Sequence, residues 1–383
     1  MRAGRNGTII DQVDREKIDY REVRETNLVT LYGRALHSRE PEPILRDEVA
    51  EWLVARIDYD FDGLRVARAS AMAVAMRARQ FDEWVGTFLR RYPDAVVLHL
   101  ACGMDSRYLR LRPPSTVDWF DVDFPDVVEL RRRLFPLAAF AAPAAPGSPD
   151  RYGSPGEAAA PGRPALLDRS ASLDRPAPFE SLDQPAEPGQ LAAPSSPNSP
   201  TAPASPTAPR QADQAGPTTQ PGPSTQPGPT GHAEPSSQPG YHLIGASVTD
   251  PAWFDQIPTG RPGLMVAEGL TMYLTEAELL PLLRRVTGHF PHGELHFDAM
   301  NRLSTRVGNL SPLLRRMGAR FRWGVDDARE LERLVPGVRL AEELAAVRLR
   351  GLNRLPHLYQ LVARFADRVG PLRRVSRLVR YRF

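Results

Sequence analysis

Apolar residues recur at three- and four-residue spacing through Val23–Leu36, Arg46–Ile57 and Ala67–Leu89, which predicts three helices, the last ending before Tyr92-Pro93-Asp94. The period then changes. Ala95–Leu100 is a short apolar run that stops at Ala101-Cys102-Gly103, as a buried parallel strand followed by a tight turn would. Ser115–Phe120 predicts a second strand ending in Asp121-Val122-Asp123, and Pro125–Leu134 a helix with proline at its first position. After a long interruption the rhythm resumes with strand Tyr241–Gly245, short helix Pro251–Gln256 and strand Gly263–Ala267. Helix Thr275–Gly288 follows, with Thr275 as cap and Glu278 three residues on, then strand Glu294–Phe297 ending at Asp298. Strands alternating with helices predict an α/β fold, a doubly wound Rossmann-like parallel sheet with right-handed crossovers. Leu378–Phe383 alternates like a strand, with Val379, Tyr381 and Phe383 on one face. It is expected to close the sheet, its arginines facing solvent.

Composition separates the ordered text from the interruption. About 24 of the 39 prolines lie between Pro136 and Pro239, among runs of Ala, Ser, Thr, Gln and Gly. Such a stretch cannot bury enough apolar surface to offset an ordering entropy of about 1–2 kcal/mol per residue, so 136–239 is expected to be a disordered insertion. Loop-closure cost grows only logarithmically, so a domain tolerates an insertion of this length. Two domains joined by a linker is the other reading, but neither flank is a complete domain by itself.

The totals exclude several classes. No run of about 18 apolar residues is present, so no membrane span is expected. Met1–Lys17 has no apolar stretch to serve as a secretory signal, and Cys102 is the sole cysteine, which leaves no internal disulfide or thiolate cluster. A cytoplasmic location is the expectation. From Arg339 onward eleven arginines face three acids, yet net charge is only +3 and Lys17 is the sole lysine among 49 basic residues. The bias fits a GC-rich genome, and nucleic acid is not the expected partner despite the basic C-terminus. His289, His292 and His296 lie close in sequence, but Pro291 and Gly293 turn the chain between them, and surface and core roles are preferred to a metal site.

Polar residues gather where an open α/β sheet binds ligands, at the carboxyl ends of its strands. Gly103 and Asp105 follow the first strand, Asp121 and Asp123 the second, Ser247 and Asp250 the third, and Glu268 the fourth. An acid ending the second strand can accept the ribose hydroxyls of an adenosine. A dinucleotide would require a glycine-rich turn that seats pyrophosphate on a helix N-terminus. Here Ala101-Cys102-Gly103-Met104-Asp105-Ser106 has one glycine and an acid that repels phosphate, which points to a nucleoside without phosphates, S-adenosylmethionine.

The stretches Glu25–Leu36, Pro43–Asp47, Val97–Arg107, Trp119–Pro125, Ser247–Trp253 and Ala267–Leu274 resemble, in order, those of the leucine carboxyl methyltransferase family, including its bacterial TcmP-like branch of polyketide-type O-methyltransferases. The resemblance implies a class I methyltransferase domain from 95–135 and 240–383, an N-terminal helical cap over 1–94, and the insertion between. It also implies that Gly103 lines the methionine portion of S-adenosylmethionine, Asp123 takes the ribose hydroxyls, and Ser247 and Val248 lie against the adenine. Glu268 approaches the amino or ribose side, and Arg77 pairs with the methionine carboxylate. Arg34 and Asp105 are further candidates, and Tyr273 with the N-terminal helices walls the acceptor pocket. Two departures matter. Ala101 stands where the family often has glycine, predicting a tighter or displaced turn, and Ser247 stands where an aspartate is common, shifting adenine recognition toward Asp250.

Bland readings stand beside these. Asp123 and Glu268 are placed to cap following helices, Arg79 to form an exposed ion pair, and Cys102 to fill space as a small buried residue. Arg107 fits a brace of the turn as well as a ligand contact. A carboxylate acceptor is ionised at pH 7, whereas a phenol needs a base, and no histidine stands out as one at the strand ends. The expected activity is methyl transfer to a carboxylate or acidic hydroxyl of a small, polyketide-like molecule. A binding protein with a degenerate methyltransferase fold remains the alternative, and a nicotinamide oxidoreductase is disfavoured by the missing second glycine.

Overall fold

Short apolar runs build the sheet. Its strands are β1 (Val96–Leu100), β2 (Asp118–Asp123), β3 (Tyr241–Gly245), β4 (Gly263–Ala267), β5 (Gly293–Met300), β6 (Arg339–Ala345) and β7 (Ser376–Arg382). They lie in the order β3-β2-β1-β4-β5-β7-β6, all parallel except β7, which is antiparallel to both neighbours. This is a computed structural model, and it describes residues 16–17, 25–135, 137, 240–316 and 318–383. Apart from residue 137, the Pro-rich segment expected to be disordered, 136–239, lies outside the described residues. The strands that flank it in sequence, β2 and β3, are neighbours in one sheet, Trp119 opposite Tyr241 and Asp123 opposite Gly245.

Every residue of β1 and β4 is buried, which is why each reads as a continuous apolar run rather than an alternating one. One face carries Leu98, Phe120, Val122 and Met265, packed against Leu279, Leu282, Leu283 and Val286 of helix α6 (Glu276–His289). The other carries Val97, Trp119, Leu264 and Val266 against Met76, Phe81, Trp84 and Phe88 of helix α3 (Arg68–Arg91). Each large side chain so buried contributes about 1.5–3 kcal/mol. Helices α1 (Glu25–Ser38) and α2 (Glu48–Arg56) pack on each other through Leu28, Leu31, Ala50 and Leu53, and reach the sheet domain through Leu109 and Leu130. These last two lie on α4 (Arg107–Leu111) and α5 (Pro125–Leu134). The expected capping box of α6 is formed, Thr275 N–H donating to the Glu278 carboxylate at 2.7 Å.

Three features differ from expectation. β7 does not close the sheet: it is inserted between β5 and β6, so β6 forms the edge. Its arginines do not all face solvent, because an interior strand buries both faces. Arg377 is 1% exposed and donates to the Glu343 carboxylate and to the carbonyls of Val325 and Asp326. Pairing with β7 out to Ser376 also extends β5 to Met300, beyond the apolar run that announced it. A further helix, α7 (His357–Arg368), lies in the basic region before β7. The three clustered histidines diverge. His289 meets the Ile257 carbonyl, His292 lies against Tyr92, and His296 pairs with Glu294. Among the described residues no helix is long and apolar enough to cross a membrane.

Candidate functional site

Strand order reverses at β1, whose neighbours β2 and β4 continue the sheet in opposite directions, and a cavity of about 380 Å³ opens over these tips. Its lining includes the charged side chains of Arg34, Arg77, Asp105, Asp123, Glu268 and Asp298 and the apolar ones of Val29, Leu270, Met272, Met300, Leu314 and Phe321.

The turn after β1 is held from three directions. Gly103 adopts φ +49°, and a β-carbon there would stand 2.8 Å from Cβ of Asn27 on α1, so the position excludes a side chain. Its N–H donates to Asp123 at 2.7 Å, and its carbonyl accepts from Arg131 at 2.8 Å. The alanine at 101 does not move the turn out of the left-handed region: Ala101 itself takes φ +49°, a conformation that costs an L-residue about 1–2 kcal/mol. Asp123 accepts a second bond from its neighbour Phe124 N–H at 2.7 Å. It therefore secures the turn rather than capping α5. Burial raises its carboxyl above the ordinary range, against the pull of those two N–H groups.

Behind the turn lies a network of buried ion pairs. Arg107, fully buried, donates to Asp82 at 2.8 Å and to Glu268 at 2.5 Å and lies 3.2 Å from Asp105. Arg110 joins Asp47, Asp82 and Asp105, each within 2.9 Å, and Arg34 joins Asp47 at 2.9 Å. Burial pushes the Asp105 carboxyl up, but Arg107, Arg110, Arg34 and His99 outweigh it and hold the group well below the usual range. Glu268 is likewise held low, Arg77 and Arg107 overcoming its desolvation. Both its oxygens are thus occupied by guanidinium groups, and it caps no helix. Arg77 also reaches Asp298 at 2.9 Å, leaving three of its five N–H donors available.

The structure brings together at one cavity Arg34, Arg77, Gly103, Asp105, Asp123, Glu268 and Tyr273. It does not bring Ser247 and Val248 to its wall. Ser247 bonds Thr249 at 2.8 Å in the turn after β3, and Val248 is buried in the core. Asp250 caps the short helix that follows, accepting from Ala252 N–H at 2.9 Å. Arg107 proves a brace, Arg79 makes an exposed pair with Glu83 at 3.0 Å, and burial pushes the Cys102 thiol well up. Sequence reasoning placed Asp298 at the end of its predicted strand but left it out of the site; the strand-tip rule that picked out Glu268 applies to it, although β5 runs on to Met300. Burial raises the Asp298 carboxyl, against Arg77 and the Gly269 N–H.

Candidate bases along the wall are engaged. His99 Nδ1 meets Asp121 at 2.7 Å and its Nε2 meets Arg107 at 3.2 Å. Tyr273, hydrogen-bonded to Thr26, is pushed up to about 12 chiefly by burial.

The chain is similar to several known proteins. The leucine carboxyl methyltransferase family matches residues 27–147. The tetracenomycin polyketide synthesis O-methyltransferase TcmP of Streptomyces glaucescens is 35% identical over 361 residues, spanning 94% of this chain and 97% of that protein. The S-adenosyl-L-methionine-dependent methyltransferase dpfgK of Gibberella zeae is 30% identical over 350 residues, 87% of this chain and 85% of its own. Among solved structures, a DUF574 family protein from Streptomyces avermitilis aligns over 93% of this chain and 96% of its own, at 10% identity and a TM-score of 0.42.

Proposed function

Since the chain belongs to the leucine carboxyl methyltransferase family and is an S-adenosylmethionine-dependent methyltransferase of the TcmP type, we propose that it methylates an oxygen of an apolar, aromatic small molecule, a carboxylate or an acidic hydroxyl. The observation that carries this reading is one cavity whose lining combines charged side chains at the strand tips with an apolar cluster of Val29, Tyr273, Leu314 and Phe321.

The charged side chains suit the cofactor. They comprise two guanidinium groups, Arg34 and Arg77, against four carboxyls, Asp105, Asp123, Glu268 and Asp298. S-adenosylmethionine, with a sulfonium and an ammonium against one carboxylate, is a net cation; a phosphorylated dinucleotide is not. In this reading Gly103 gives the close backbone approach, Asp123 accepts ribose hydroxyls with the lone pairs its two N–H partners leave, and the free N–H groups of Arg77 take the methionine carboxylate. Glu268 orients Arg77. Ser247 and Val248, one strand beyond Asp123, would flank the adenine from outside the cavity described.

When bound, the cofactor supplies an electrophilic methyl group, so positioning and dehydration are what the protein must add. Met272, Met300, Leu314 and Phe321 exclude water from the acceptor side, and Tyr273, its ring tilted at 53° to that of Phe321 with centroids 5.3 Å apart, gives a planar acceptor an aromatic wall. With its hydroxyl proton held at neutral pH, Tyr273 donates rather than abstracts. His99 has both nitrogens engaged. An acceptor that arrives already ionised fits such a wall best, as a carboxylate or a hydroxyl acidified by a neighbouring carbonyl does.

The test is methyl transfer from radiolabelled S-adenosylmethionine to a panel of aromatic carboxylic acids, acidic enols or phenols, ordinary phenols and amines. Label is expected in the first two classes. Asp123→Ala should weaken cofactor binding by about 1–3 kcal/mol through its lost hydrogen bonds. Labelling of amines alone would remove the oxygen assignment, and unchanged affinity in the variant would remove the ribose one.

A further inference from the structure

An amphipathic helix on a folded domain normally turns its apolar stripe inward. Helix α7 does the reverse. Its inward side is small and polar: Gln360 donates to the carbonyls of Asn353 and Leu355 at 3.0 and 2.8 Å, Asp367 pairs with Arg348 at 2.6 Å, and Ala363 and Ala366 are half-buried. Its outward side presents Leu358, Leu361, Val362 and Phe365, which are 69%, 62%, 58% and 60% exposed. A continuous apolar stripe held outward by polar tethers marks an interaction surface.

We propose that this face is the contact surface of a two-fold symmetric dimer of the chain, with α7 antiparallel to α7 of a second copy. Two properties of the stripe select a second copy as its occupant. The intervals between the four side chains, three, one and three residues, read the same in both directions. Reversal therefore sets Leu358 against the partner's Phe365 and Leu361 against the partner's Val362, the self-complementary pattern a two-fold interface requires. Exposed charge also differs between the two ends of the helix, an acid paired with Arg354 at one and, among the described residues, unpaired arginines at the other. In the turn before its N-terminal end, Arg354 donates to the Glu42 carbonyl at 2.6 Å and lies 4.0 Å from the Glu42 carboxylate, which is 87% exposed. Toward the C-terminal end stand Arg364 and Arg368, exposed and without a salt bridge among the described residues. Antiparallel pairing brings each arginine-bearing end to the partner's Glu42.

Sedimentation equilibrium on the full chain at micromolar concentration is expected to give the dimer mass. Leu361→Asp and Phe365→Asp, at exposed positions, should each raise the dissociation constant by about 30-fold or more, as for a central interface residue, while the secondary-structure spectrum stays that of the parent chain. Reversing Arg364 and Arg368 to Glu should weaken the dimer, and adding Glu42→Arg to that variant should restore it at least in part. A monomeric wild-type chain would overturn the proposal, whether inert or bound through this face to phosphatidylglycerol vesicles. So would a dimer indifferent to Leu361→Asp and Phe365→Asp.

Discussion

Two arginines lie fully buried in different parts of the molecule, and their surroundings contrast. Arg107, behind the turn after β1, is shared by three carboxylates, Asp82, Asp105 and Glu268. Arg377, on β7, meets one carboxylate, Glu343, and otherwise serves main-chain carbonyls of the segment before β6. The first is needed for its charge: it keeps acids ionised where burial would neutralise them. The second is needed for its N–H groups, which satisfy a backbone that no strand partner reaches. Burying a guanidinium is costly in both places, but only next to the cavity is the compensation mainly electrostatic, holding Asp105 and Glu268 ionised.

The largest expected effect separates the two. Arg107→Met should cost about 3–5 kcal/mol of stability, because buried carboxylates lose their cation. Arg377→Met should cost about 1–3 kcal/mol, the loss of buried hydrogen bonds. Chemical denaturation compares them, and equal losses would abolish the distinction.

Acid sharpens it next. Burial lifts the Asp121 carboxyl, but Arg131, His99 and Tyr241 outweigh that and hold it at about 2. An unfolded aspartate titrates near 3.9, so the stabilisation is complete above roughly pH 4 and drains as pH falls from there toward 2. Denaturant midpoints should therefore record a loss of roughly 2 kcal/mol from this group across that window. Asp121→Asn should flatten that part of the profile; a profile of unchanged slope would mean that other carboxylates govern acid unfolding.

The smallest effect concerns the strained turn beside Arg107. Ala101→Gly should raise stability by about 0.5–1 kcal/mol, the relief of a left-handed alanine less the entropy that glycine adds to the unfolded chain. A lower melting temperature would show that the methyl group's contacts outweigh the strain.

Much of the site could be read from residue order. Gly103, Asp123 and Glu268 each end a short apolar run, and strand tips are where an open α/β sheet gathers its ligands. A run buried on both faces, such as Gly263–Ala267, announces itself because none of its positions is polar. β6 was invisible for the opposite reason: Arg339–Ala345 is an edge strand with most of its residues exposed or half-buried, held by its ladder to β7 rather than by an apolar pattern.

The sequence alone determined the rhythm of the sheet, the turn that needs glycine at 103 and the acids at the strand tips, because each follows from local sterics or from burial that leaves a period in the chain. Tertiary structure decided which charges meet. Arg107 and Glu268 are 161 residues apart, and Arg77 and Asp298 are separated by 221. Ion pairs leave no period in a sequence, since a guanidinium is satisfied by any carboxylate that the fold carries to it. For the same reason the inward or outward sense of the α7 stripe could not be read beforehand: amphipathic spacing fixes that a helix has an apolar face, and only the packing of the rest of the chain sets which way it points.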